Sequence, residues 1–91
     1  MDDVVSFHAI VRGRVQGVGF RYFARQRAEA LGVSGFVRNL PDGSVELHAE
    51  ASASALAEFE AEVRRGPSFG RVDEVTVSSL QARGYQTFEI R

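Results

Sequence analysis

The chain has 91 residues, of which 44% are hydrophobic and 25% charged, so it suits one small globular domain, predicted over residues 1–91, and is too short for two. A net charge of −1 disfavours a protein whose main partner is nucleic acid, because such domains carry a basic excess. The sequence has no cysteine and no lysine, which excludes disulfides, thiol catalysis, Schiff-base chemistry and the lysine of a P-loop.

A change of hydrophobic period separates the first strand from the first helix. Residues 4–12 alternate apolar and polar side chains, which indicates a strand. Residues 20–31 carry apolar side chains at helical spacing, and Gly32 is expected to end this helix in a left-handed conformation. The connection between the two contains a pair of glycines, Gly17 and Gly19.

A hairpin follows the first helix. Residues 33–40 indicate a second strand, and the Pro41-Asp42-Gly43 sequence is typical of a tight turn, because proline fixes φ and glycine supports a positive φ. Residues 44–51 alternate as a half-buried third strand. Its polar face, which we expect to meet solvent or to pair across strands, carries Glu46, His48 and Glu50.

The second half of the chain completes an α+β pattern. Residues 53–65 form a predicted helix with a serine cap at Ser52 or Ser54 and a stop at Gly66-Pro67. A fourth strand is expected over residues 72–80 and a short last strand over residues 85–91. The order β-α-β-β-α-β with a short final strand predicts a ferredoxin-like sandwich, with two helices on one face of an antiparallel sheet.

The start of the first helix departs from the usual pattern of helix N-termini. Glycine takes the place of a capping Ser, Thr, Asp or Asn, and Arg21 falls in the first turn, where the helix dipole disfavours a cation. Free backbone N–H groups, a flexible loop and an added guanidinium predict a site for an external phosphoryl group. The loop residues expected to contribute N–H groups are Val15, Gln16, Gly17, Val18, Gly19 and Phe20.

Few reactions suit the residues around this loop. Asn39, at the end of the second strand, is expected near the loop, but no nucleophile with an activating base and no set of metal ligands accompanies it. We therefore expect no metal and no cofactor. An acyl phosphate needs no general acid, because its carboxylate leaving group has a conjugate acid of pKa about 4–5. The prediction is direct hydrolysis without a phosphoenzyme, by a water that the Asn39 carboxamide orients.

Two segments resemble the signatures of the acylphosphatase family. Residues 13–21, Gly-Arg-Val-Gln-Gly-Val-Gly-Phe-Arg, are similar to the first signature, and residues 35–45, Gly-Phe-Val-Arg-Asn-Leu-Pro-Asp-Gly-Ser-Val, to the second. The resemblance extends over nearly the whole chain and departs at Ala51, where the family usually has glycine. It implies a ferredoxin-like fold, a phosphate held by the loop amides, Arg21 as the phosphate ligand and Asn39 as the residue that positions the water.

The predicted partners are an acyl phosphate as substrate and inorganic phosphate as product and inhibitor. We expect a monomer in the cytoplasm that binds neither nucleic acid nor a membrane, because the sequence has no long apolar run and begins with an acidic segment. The alternative is a non-catalytic regulatory domain on the same fold that binds an anion or another small ligand. An RNA-recognition domain is disfavoured, because acidic residues occupy the third strand where stacking aromatics would be needed.

Overall fold

Residues 3–91 are described by the computed structural model, and Met1 and Asp2 of the predicted domain lie outside the described residues. The described part forms five strands and two helices in the predicted order. In chain order the elements are β1 (Val4–Arg14), α1 (Phe20–Leu31), β2 (Ser34–Asn39), β3 (Val45–Ser52), α2 (Ala53–Arg65), β4 (Arg71–Leu80) and β5 (Phe88–Ile90).

The strands form one sheet in the order β4-β1-β3-β2-β5. The pairs β1–β3, β1–β4 and β2–β3 are antiparallel, as expected. The short β5 instead runs parallel to β2, with Gly35 opposite Phe88 and Val37 opposite Ile90. The ferredoxin-like α+β fold is therefore confirmed, whereas the prediction of a wholly antiparallel sheet is wrong at β5, because a short strand pattern does not encode its direction.

The core lies between the helices and one face of the sheet. α1 packs against β2 and β5, and α2 packs against β1, β3 and β4. Phe59 of α2 is fully buried, and its ring centroid lies 6.5 Å from that of Phe7 and 5.8 Å from that of Phe88. Burial of a phenylalanine of this kind stabilises the fold by about 1.5–3 kcal/mol. No helix within residues 3–91 is both long and apolar enough to cross a membrane.

The two helices begin in different ways. Ser52, one of the two predicted candidates, caps α2, because its Oγ accepts a hydrogen bond from the Ala55 backbone N–H at 3.3 Å. α1 begins at Gly19 without a side-chain cap and ends at the left-handed Gly32, both as expected. The backbone N–H groups at the start of α1 are therefore left for partners outside the helix.

The connection between β4 and β5, residues 81–87, crosses the sheet face opposite the helices. The Glu50 carboxylate accepts hydrogen bonds from the backbone N–H groups of Arg83 at 2.5 Å, Gly84 at 2.9 Å and Tyr85 at 3.2 Å. Its Oε2 atom also lies 3.1 Å from His48 Nε2. His48 is only 4% exposed and Glu50 only 2%. The prediction of a half-buried third strand is therefore wrong at the C-terminal end of β3, where both faces are buried.

Opposing effects act on the ionisation of Glu50. Burial raises the pKa of its carboxyl group, but the hydrogen bonds from the crossing connection and from His48 outweigh burial and hold the pKa below its ordinary value. The ionised carboxylate thus stabilises the folded state, because it ties residues 83–85 to β3.

We expect Glu50→Gln to lower the free energy of unfolding at pH 7 by about 1–3 kcal/mol, because the amide has one acceptor oxygen and no charge. A carboxyl group with a depressed folded-state pKa contributes stability above its unfolded-state pKa and loses it as the pH falls through the folded-state value. The wild type should therefore lose this contribution below about pH 4–5, and the variant should lack that part of the pH dependence.

Urea unfolding at pH 7 and at pH 3.5 measures both effects. Glu58→Gln, on an exposed position of α2, is the matched control and should leave the stability nearly unchanged. Equal stability of wild type and Glu50→Gln at pH 7 would contradict the role assigned to this carboxylate.

Candidate active site

The loop of residues 15–19 joins β1 to α1 through two left-handed glycines. Gly17 has φ 73° and Gly19 has φ 79°, a conformation that costs other L-residues about 1–2 kcal/mol. The Val15 and Phe20 side chains are 1% exposed and fix both ends of the loop in the core. Backbone of this type at a helix start forms a concavity of N–H groups that suits an anion.

A cavity of about 340 Å³ opens at the start of α1. It brings together six of the predicted site residues, although they come from three separate elements. Two further residues, Tyr22 and Ile90, complete its wall; Tyr22 follows Arg21 in the sequence, whereas Ile90 reaches the site only through the parallel β5. The predicted residues that line it are Val15, Gly17, Gly19, Phe20, Arg21 and Asn39.

Gln16 connects the loop to the β2–β3 hairpin and does not line the cavity. Its Nε2 atom donates hydrogen bonds to the carbonyl oxygens of Leu40 at 2.8 Å and Ser44 at 2.9 Å. The Gln16 side chain therefore braces the loop against the hairpin. Val18 also lies outside the cavity wall, because its side chain packs against the core. Any contribution of Gln16 and Val18 to anion binding would thus come from their backbone.

Arg21 and Asn39 both have polar groups that find no partner in the described part of the chain. Among residues 3–91, the exposed Arg21 makes no salt bridge, whereas Arg12 and Arg38 pair with Glu74 and Glu46. Within the same described range, Asn39 Oδ1 is buried and has no hydrogen-bond partner. Buried polar atoms in proteins are nearly always hydrogen-bonded, so the unpaired Oδ1 is unusual, and no hydrogen bond from it holds the carboxamide in this orientation.

The polar groups at the cavity are backbone amides, the Arg21 guanidinium, the Tyr22 phenol and the Asn39 carboxamide. Across residues 3–91, no three His, Cys, Asp or Glu side chains cluster as a metal site requires. The polar groups at the cavity can bind and orient a phosphoryl group, but none of them is a strong base.

A second polar cluster, Ser6, His48 and Glu50, lies on the far side of β3 and is built for structure. Ser6 Oγ lies 2.9 Å from His48 Nε2, and Glu50 Oε2 lies 3.1 Å from the same nitrogen. In a hydrolytic triad the serine and the carboxylate contact opposite nitrogens of the ring. All three side chains are also buried, so the cluster is closed to substrate.

The fold and the cavity define a small ferredoxin-like α+β protein with a glycine loop at an uncapped helix start. The family model described as Acylphosphatase matches residues 7–90. An acylphosphatase of Treponema denticola is 47% identical over 85 residues, which cover 93% of this chain and 90% of that protein.

Solved structures agree with the sequence comparison. The acylphosphatase of Bacillus subtilis superposes with a TM-score of 0.92 at 39% identity and covers 96% of this chain and 98% of its own. The acylphosphatase of Coxiella burnetii superposes with a TM-score of 0.94 at 32% identity and covers 98% and 94%. The chain belongs to the acylphosphatase family and is a hydrolase of acyl phosphates.

We expect Gln16→Ala to lower the free energy of unfolding by about 1–2 kcal/mol, because it removes two hydrogen bonds to partly buried carbonyl groups. It should also lower kcat/KM for acetyl phosphate by about tenfold or more, because the loop loses its fixed position relative to Asn39. Urea unfolding and steady-state kinetics measure the two effects. The control is Gln81→Ala, at an exposed position. If the two variants have similar free energies of unfolding and similar kcat/KM values, the bracing role is refuted.

Proposed function

We propose that the protein hydrolyses acyl phosphates by direct attack of a water molecule on phosphorus, without a metal ion and without a phosphoenzyme. The observation that carries the proposal is that Arg21, Asn39 and the glycine loop line one cavity. The described residues of that wall include no Ser, Cys, His, Asp or Glu that could serve as a nucleophile or a strong base.

The loop and Arg21 would bind the phosphoryl group. Backbone N–H groups at the start of α1 can donate hydrogen bonds to the phosphoryl oxygens, and the helix dipole favours the negative charge. The Arg21 guanidinium can bind two of those oxygens at once, and no salt bridge within residues 3–91 competes for it. These donors stabilise the charge on the equatorial oxygens in the transition state.

Asn39 would position the water. Rotation of its carboxamide exchanges the oxygen with the NH2 group, so the oxygen can accept a hydrogen bond from a water in the cavity. The water oxygen forms a bond to phosphorus while the bond from phosphorus to the acyl oxygen breaks, and the electron pair leaves with the carboxylate. The proton of the water passes to the phosphate product or to solvent. Since the transition state is largely dissociative, orientation of the water matters more than its deprotonation.

The phosphoryl site, the net charge and the single-chain cavity support inorganic phosphate as an inhibitor, a small-molecule substrate and a monomeric state. Inorganic phosphate, the product, would occupy the site of the substrate phosphoryl group and inhibit competitively. A net charge of −1 supports a small-molecule substrate and disfavours nucleic acid. We propose that the protein acts as a monomer, because Arg21, Asn39 and the loop all come from one chain.

Acetyl phosphate and benzoyl phosphate should be hydrolysed at unchanged rates in the presence of EDTA, because no step uses a metal. An alkyl phosphate monoester should be hydrolysed at least about 10³-fold more slowly, because its alkoxide leaving group needs a proton that the site does not supply. Phosphate release in the presence and absence of the chelator measures both. Loss of turnover with EDTA would refute the metal-free mechanism, and comparable rates on the alkyl ester would refute the leaving-group argument.

Arg21→Ala and Asn39→Ala should separate binding from turnover. Arg21→Ala should weaken phosphate binding by about tenfold or more and lower kcat as well, because a charged contact is lost in both states. Asn39→Ala should leave the Kd for phosphate within about twofold and lower kcat by about 10²-fold or more, because only the water loses its orientation. Calorimetry with inorganic phosphate and steady-state kinetics provide the readouts.

Arg64→Ala, on the exposed last turn of α2, is the control for loss of a positive charge and should change neither quantity. Equal weakening of phosphate binding in the Arg21 and Asn39 variants would overturn this division of roles.

A further inference from the structure

A second cavity continues from the first at the start of α1. This groove, of about 530 Å³, shares Gly19 and Tyr22 with the 340 Å³ cavity proposed to hold the phosphoryl group, called the phosphate cavity below. Its far wall is formed by residues 66–69, which connect α2 to β4 and include Phe69. The groove is large compared with the ~30 Å³ that one water occupies in the liquid, and it opens beside the atoms proposed to hold the phosphoryl group.

The topology places this groove opposite Asn39. Residues 66–70 precede β4, the loop of residues 15–19 follows β1, and Asn39 ends β2. These three points lie at one end of the sheet, because Arg71 pairs with Arg14 and Asn39 pairs with Val45. In the strand order β4-β1-β3-β2-β5, the loop thus lies between Asn39 on one side and residues 66–70 on the other.

In-line displacement at phosphorus determines the direction in which the acyl group leaves. The attacking and leaving oxygens lie roughly in line on opposite sides of the phosphorus atom. A water held at Asn39 therefore attacks from the β2 side, and the acyl oxygen leaves toward the β4 side. The acyl group attached to that oxygen points at the groove.

Three aromatic side chains, Tyr22, Phe23 and Phe69, line the groove. Phe69 is 84% exposed and Tyr22 is 65% exposed, so both present apolar surface that the fold itself does not use. The Arg25 guanidinium lies 4.8 Å from the centroid of the Tyr22 ring and holds that ring in place by a cation–π contact. Arg65, also in the groove wall, is already paired with Glu62.

We propose that this groove is the binding site for the acyl portion of the substrate, and that it favours aromatic or extended apolar acyl groups over small ones such as acetyl. This assignment rests on the proposed function, because it takes the phosphoryl group to lie in the loop with the water at Asn39. Phe69 is the specificity-determining residue of the groove, and Tyr22 is shared with the phosphate cavity. An aromatic acyl group stacks or meets edge-to-face with these rings.

The test compares benzoyl phosphate with acetyl phosphate in wild type, Phe69→Ala, Phe69→Tyr and Leu80→Ala. In Phe69→Ala the ratio of kcat/KM for benzoyl phosphate to that for acetyl phosphate should fall about three- to tenfold, mainly through KM for benzoyl phosphate, because one aromatic contact is lost. Phe69→Tyr keeps the ring and should restore the wild-type ratio. Leu80→Ala removes an exposed apolar side chain at the opposite end of β4 and should leave the ratio unchanged.

The possible failures are distinguishable. If wild type hydrolyses both substrates and the ratio is the same in Phe69→Ala, the groove assignment is overturned while the proposed function stands. If Asn39→Ala hydrolyses acetyl phosphate as fast as wild type, the proposed position of the water fails and the groove assignment fails with it. A fall in the ratio that is equally large in Leu80→Ala would also overturn the role of Phe69.

Discussion

The two hydrogen bonds from Gln16 to the hairpin carbonyls are the interaction on which the site depends. A helix start that must leave its N–H groups for a ligand cannot use a side-chain cap, and left-handed glycines make its loop intrinsically mobile. Gln16 compensates, because both hydrogens of its amide are committed to Leu40 and Ser44. Asn39 immediately precedes Leu40, so the same link sets where the carboxamide lies relative to the loop.

Local sequence patterns were sufficient to predict the bounds of the helices. They were insufficient where contacts with distant segments determine the length or burial of a strand. The bounds of α1 and α2 agree with the prediction, because helical spacing and end signals lie within each segment. The last strand was predicted over residues 85–91 and covers only Phe88–Ile90, since residues 83–85 instead donate backbone hydrogen bonds to Glu50. That contact joins residues more than 30 positions apart, so no period in the sequence indicates that His48 and Glu50 are buried.

The candidate site likewise contains residues that local sequence predicts and residues that only the three-dimensional structure brings together. The glycine loop and Arg21 could be identified from one segment, because an uncapped helix start with a cation is a local anomaly. Asn39 could be placed near the loop from the strand order, but its proposed role with water drew on what a carboxamide can do and on the family resemblance. Tyr22, Ile90 and the groove beside Phe69 belong to a surface assembled from α1, β5 and the α2–β4 connection, which only the three-dimensional arrangement brings together.

The chemistry available at the cavity determines where substrate selectivity can arise. Backbone amides and Arg21 would bind the phosphoryl oxygens of any phosphate ester about equally well, so the phosphate end cannot distinguish one substrate from another. In the proposed mechanism, discrimination against alkyl esters would follow from the leaving group, because the described residues of the cavity wall include no carboxylic acid or histidine that could donate a proton to an alkoxide. Discrimination among acyl phosphates, which share the same good leaving group, must then come from contacts with the acyl chain. The aromatic groove on the β4 side of the loop is where the structure offers such contacts.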